Sequence, residues 1–141
     1  MKNYYRIMLG RGSEFAEECF TDKCIAAGFI HDRDLKGKLP EEWREFNREF
    51  IPIYLAANPN KTKIGAGLAC GALWTVAKGI QKGDLVLCPD GLGKYRVGEV
   101  NGDYYYDHEK ALCHRRPVVW LNVTIDRTAM SEALQNSTGS I

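Results

Sequence analysis

The chain has 141 residues, 45% of them hydrophobic, 26% charged and 11% aromatic, and its formal net charge is +1. That length builds one real core, and the composition is that of a globular protein rather than a disordered or fibrous one. The near-neutral balance excludes attraction of polyanions by bulk charge, so a nucleic-acid binder would have to gather its lysines and arginines on one face.

Five cysteines, an odd count without a C-x-x-C pair, and an N-terminus lacking signal-peptide character point to reduced thiols and a cytoplasmic setting. No apolar stretch is long enough to span a bilayer.

In chain order, residues 5–9 read as a strand that ends at Gly10-Arg11-Gly12-Ser13, and residues 14–20 as one or two helical turns. Residues 24–30 read as an apolar strand of small residues followed by two large ones, so something packs closely over one face. Pro40 is expected in the first helical position, with Glu41 and Glu42 in the favourable first turn. Trp43, Phe46 and Phe50 recur at helical spacing, Ile53, Tyr54 and Ala57 extend the stripe, and Pro52 is expected to kink or end the helix. A second helix over residues 64–78 places Leu68, Ala72 and Val76 on one face, broadened by Leu73. Its three glycines each cost about 1 kcal/mol relative to Ala, which close packing must offset.

The second half reads as a β-meander. Leu85-Val86-Leu87 and the pattern from Tyr95 to Val100 flank a Pro89-Asp90-Gly91 turn, in which Pro presets φ, Asp bonds its own backbone and Gly accepts positive φ. Gly93 and Gly98 are expected where the chain bends or another group approaches closely. Tyr104-Tyr105-Tyr106 and residues 117–123 form a further strand pair. A short helix is expected over residues 129–134, before a polar tail that reads as a linker. The fold class is α+β.

Asp90 and Glu99 could form the carboxylate pair of a metal-dependent nuclease, but the lysine expected two residues after the second is Asn101, and the turn accounts for Asp90. His108, Cys113 and His114 lack a fourth ligand for zinc. Cys24 and Cys88 read as core thiols, no nucleophile elbow occurs, and Gly65-Ala66-Gly67 lies inside a helical pattern without the Lys-Ser/Thr of a phosphate loop. No catalytic residue, metal or cofactor is therefore expected. What remains are aromatics around the sheet, the raw material of a base-stacking pocket, and basic clusters that could meet phosphates: Arg115 and Arg116 first, Lys61 and Lys63 second.

Leu73-Trp74, Gly83-Asp84-Leu85-Val86, Pro89, Gly98-Glu99-Val100, Gly102-Asp103-Tyr104-Tyr105-Tyr106 and the run from His114 to Leu121 occur in an order that resembles the N-terminal domain of Mrr-like, modification-dependent restriction endonucleases. That domain belongs to the PUA-like superfamily, with the EVE and YTH domains. Gly10-Arg11-Gly12-Ser13-Glu14 and Ile25-Ala26-Ala27-Gly28-Phe29 also fit, with Phe29 where tryptophan is expected.

The resemblance implies a small PUA-like β-barrel with flanking helices over residues 1–124, and a short helix with the start of a linker to a downstream domain over residues 125–141. It implies a DNA-binding module that flips a modified base, such as a methylated one, into an aromatic-walled pocket. The partner would be double-stranded DNA carrying that base, and cleavage would belong to a downstream nuclease or other effector domain of a restriction system. The pocket is expected from Gly12, Ser13, Ala27, Phe29, Trp74, Tyr104 and Tyr106. The alternatives are a reader of modified RNA and a metal-dependent nuclease in its own right.

Overall fold

The structure, a computed structural model, describes residues 3–129. The helix expected over residues 129–134 and the tail beyond it lie, past Ala129, outside those residues. Among the described residues the fold is mixed α+β, with three α-helices and a six-stranded sheet. Its strands run in the order β1 (Tyr4–Arg6), β3 (Leu85–Pro89), β4 (Lys94–Val100), β6 (His114–Asp126) and β2 (Cys24–Ala27), and β5 (Tyr105–Tyr106) also pairs with β6. The helices are α1 (Ala16–Asp22), α2 (Trp43–Ala57) and α3 (Lys63–Trp74). The chain gathers into two compact units. Residues up to Ile25, Ile80–Asp103 and those from Arg116 onward form unit 1, while Ala26–Gly79 and Tyr104–Arg115 form unit 2.

In unit 1 the expected hairpin is present: β3 and β4 pair antiparallel, Leu87 opposite Val97. Leu87, Tyr95 and Val97 make a buried cluster against which Leu121 and Ile125 pack. The sheet is not a pure meander, because β1 pairs parallel to β3, Tyr4 opposite Leu85. Asp84 explains how they are pinned. Its buried carboxylate accepts the Asn3 N–H at 3.2 Å through Oδ1 and the Gln81 N–H at 2.8 Å through Oδ2.

Gly98 is required by a close approach, as expected, and the approaching group is the Trp120 ring: a Cβ there would sit 2.9 Å from ring carbon Cε3. The β4–β6 register shifts at this point, between Arg96 and Gly98. Strand β6 starts at His114 and runs to Asp126, two residues past the expected boundary at 124, and a short turn over Arg127–Ala129 follows. Pro117, which has no N–H to donate, falls where the pairing of β6 passes from β5 to β4.

In unit 2, α2 begins at Trp43, three residues later than Pro40 led one to expect, and Pro52 neither ends nor caps it. Pro52 and Arg48, four residues earlier, are both exposed, so the carbonyl that loses its partner can turn to water. Phe46 and Phe50 stack at 4.5 Å on the buried face. On α3 the buried face is Ala66, Ala69, Cys70 and Leu73, whereas Leu68 is 73% exposed. The apolar stripe expected through Leu68 is thus rotated toward Ala66, Ala69, Cys70 and Leu73. Asn47 of α2 reaches across to α3 and donates from Nδ2 to the Gly67 carbonyl, at 3.3 Å. A π-helical turn over Thr75–Gly79 follows α3.

Candidate functional site

A cavity in unit 2, of about 700 Å³, lies between the end of α2 and the loop that leaves β2. Its aromatic wall is Phe29, 38% exposed, set edge-on to Tyr54 with ring centroids 6.4 Å apart. Gly28, Ile30, His31, Ala57 and Asn58 are among the residues that line the rest, together with the charged Asp32 and Arg33. Strand β2 ends at Ala27, so Gly28-Phe29-Ile30 belong to a loop and not to the strand expected for them.

The loop is strained and held. Ile30 has φ +52°, a left-handed conformation that a β-branched residue adopts rarely and at a cost of about 1–3 kcal/mol. A Cβ on Gly28 would lie 2.8 Å from the Ala111 carbonyl oxygen, so only glycine fits there. Three side chains clamp the turn from behind. The His114 ring, through Nε2, bonds the Ile30 carbonyl at 2.8 Å, and Tyr106 Oη donates to the His31 carbonyl at 2.7 Å. His31 Nε2 contacts the Lys110 carbonyl at 2.9 Å. Tyr104 completes the set: its hydroxyl sits 2.7 Å from His114 Nδ1 and accepts the Leu35 N–H at 3.0 Å.

With the His114 ring neutral, one proton arrangement satisfies these bonds. A carbonyl can only accept, so Nε2 of His114 must carry the hydrogen, which leaves Nδ1 to accept from Tyr104. Burial pushes the His114 pKa below its ordinary value, opposed in part by the bond to the Ile30 carbonyl, and so favours this neutral ring. Burial likewise raises the Tyr104 phenol and keeps it protonated.

The expected pocket residues therefore separate. Phe29 is a wall. Tyr104 and Tyr106 do not line this cavity; their hydroxyls bond the loop that carries its wall. Ala27 is buried at the end of β2. Trp74 does not line this cavity: its Nε1 donates to the Pro40 carbonyl at 2.8 Å, and its ring covers Gly79, where a Cβ would sit 2.6 Å from ring carbon Cζ3. Gly12 and Ser13 line a different cleft, made wholly of unit 1 residues. Tyr54 was legible only as one residue of a helical stripe.

The phosphate expectation also divides. Arg115 and Arg116 are 1% and 4% exposed. Arg115 Nε donates to the Leu112 carbonyl at 2.8 Å, and Arg116 donates to the carbonyls of Gly102 (2.9 Å) and Ile80 (2.6 Å). Both are internal struts that satisfy backbone carbonyls, which corrects the expectation that they meet phosphate. Lys61 and Lys63 are exposed. They flank Thr62, whose hydroxyl caps α3 by accepting the Gly65 N–H, and the Lys61 N–H bonds the carbonyl of Asn58, a residue of the cavity wall.

Asp90 serves its turn: Oδ1 accepts the N–H groups of Leu92 (2.7 Å) and Lys94 (3.2 Å). No group of three or more His, Cys, Asp or Glu side chains that could hold a metal ion occurs among the described residues. All five cysteines are buried and reduced, and burial pushes the Cys70 and Cys113 thiols up to about 11. No described helix is long and apolar enough to cross a membrane.

Residues 5–139 match a family described as a domain of unknown function, DUF8426, and the chain belongs to that family. No curated protein and no solved structure matches the chain.

Proposed function

We propose that this domain is a non-catalytic reader of a modified base in double-stranded DNA, within a PUA-like fold of the EVE and YTH kind. In this reading it is the specificity module of a modification-dependent restriction system whose cutting domain lies elsewhere. The observation that carries it is the cavity of unit 2, where a half-exposed Phe29 stands edge-on to Tyr54 on a strained, clamped loop. Its volume of about 700 Å³ falls within the range of small-molecule pockets, roughly 300–1,000 Å³. Strain held at a pocket wall is a mark of preorganisation. A flipped base costs a few kcal/mol to unstack, and an aromatic face on which to restack offsets that cost. Lys61 and Lys63, next to the wall, supply cations for the flanking phosphates.

The test compares duplexes that differ by one 5-methylcytosine or N6-methyladenine, beside RNA of the same sequence. The protein should prefer one modified duplex. Phe29→Ala should weaken that binding by about 1–3 kcal/mol while leaving the melting temperature nearly unchanged, since the ring is more than a third exposed. A folded Phe29→Ala protein with full preference would remove the pocket from the reading, and preference for RNA would move the reading to modified RNA.

A further inference from the structure

A second cavity, of about 350 Å³, lies in unit 1, and we infer that it binds a phosphate group. The inference stands on unit 1 alone; only naming a DNA strand as the source of the phosphate rests on the function proposed above. Three cationic side chains line the cleft: Arg6 at the end of β1, Lys94 at the start of β4 and Arg127 just after β6. None of the described residues that line it is acidic. In a chain of net charge +1 this is a local concentration of basic side chains, which favours an anion in the cleft. Lys94 has an ion pair with Asp126, but at 3.9 Å and with both side chains more than half exposed it is a weak competitor.

The backbone of the cleft is open to a ligand. Gly12 and Gly93 have positive φ (64° and 95°), and a Cβ on either would meet nothing within 4 Å. Oxyanions can therefore come against the main chain there, as they do in turns built from such residues. The two glycine-bearing turns adjoin, since a Cβ on Gly91 would lie 3.5 Å from the Gly12 carbonyl oxygen. Ser13, beside Gly12, is left-handed at φ +63°, a strained state of the kind found at ligand clamps. Guanidinium groups bond phosphate oxygens in pairs, which suits Arg6 and Arg127 to the task.

The experiment titrates the protein with inorganic phosphate, followed by the amide resonances of Gly12, Ser13 and Gly93. Saturable shifts are expected in the wild type and not in Arg6→Gln/Lys94→Gln; Arg127→Gln is the second variant should the first fail to melt like the wild type. A parallel arm measures binding of modified and unmodified duplexes. If the occupant is a strand phosphate, the double variant weakens both duplexes by the same factor, about tenfold or more, and lowers the salt slope by about 0.9 for each phosphate it no longer neutralises. If the occupant is free phosphate or a phosphorylated small molecule, duplex affinity stays and only the phosphate response disappears. No phosphate response together with unchanged duplex affinity overturns the inference. Failure of the base-reading proposal shows separately, as discrimination that Phe29→Ala does not alter.

Discussion

At the scale of the residue, the bonds around His114 make the clamp on Ile30 sensitive to pH. The neutral ring donates through Nε2 and accepts at Nδ1; a second proton on Nδ1 would reverse the bond to Tyr104, whose hydroxyl would then accept from both the ring and the Leu35 N–H. The folded-state pKa is lowered from its ordinary value of 6.5, mainly by burial, with His31 lowering it further and Asp34 opposing. The unfolded chain therefore binds more protons just below pH 6.5, and stability falls as the pH drops from there toward the folded-state pKa. Melting curves at pH 7.5 and pH 5 should show the loss, and His114→Gln, which keeps a donor for the Ile30 carbonyl, should flatten it. An equal acid-induced loss in the variant would assign the effect to other groups.

At the scale of the element, local chemistry was legible and its tertiary context was not. The Pro89-Asp90-Gly91 turn and its hairpin follow from residue types whose conformational reasons are local. The start of α2 does not. Proline prefers a first helical turn, yet the helix begins at Trp43 with Glu42 in extended backbone before it. Pro52 is tolerated because its face is solvent, a fact set by what packs on the other side. Replacing it by alanine restores one backbone bond and removes the ring's clash with the preceding turn. Pro52→Ala should therefore raise stability by about 1–3 kcal/mol, less than the full helix-interior penalty because the unfolded chain gains freedom. Denaturant titration reads this directly, and a loss of stability would mean that the kink is needed by its neighbours. The rotated face of α3 has the same origin: Leu68 and Leu73 look alike in sequence, and only the position of α2 decides which is buried.

At the scale of the whole molecule, the candidate site was half legible. Phe29 stood out beside small residues, and Tyr104 and Tyr106 stood out as aromatics near the sheet, though in a different role from the one they hold. Their hydroxyls make the difference. A tyrosine whose oxygen is bonded within the protein is a strut, and no spacing in the sequence tells whether that oxygen finds a partner about 70 residues away. Arg115 and Arg116 misled for the same reason, since a guanidinium reads as a surface charge until buried carbonyls claim it. The two units were likewise invisible, because their boundaries at 25–26, 103–104 and 115–116 fall in strands or next to one, and the boundary at 79–80 falls at the end of the π-helical turn.

That interleaving has a consequence for how the chain is made. Unit 2 needs residues 104–115 before it is complete, and unit 1 needs the segment from Arg116, so neither closes while the nascent chain is short. Domains laid out in succession can fold one after another as synthesis proceeds; here each unit waits for a segment made late, Tyr104–Arg115 for unit 2 and the residues from Arg116 for unit 1. A fragment of residues 1–103 should accordingly give poorly dispersed amide spectra, and adding residues 104–126 should restore native dispersion in both units at one stroke rather than in two stages. Shape in this stretch would thus arrive only after the segment from Arg116 has left the ribosome, and helper proteins that shield exposed chains would meet both units unfinished together.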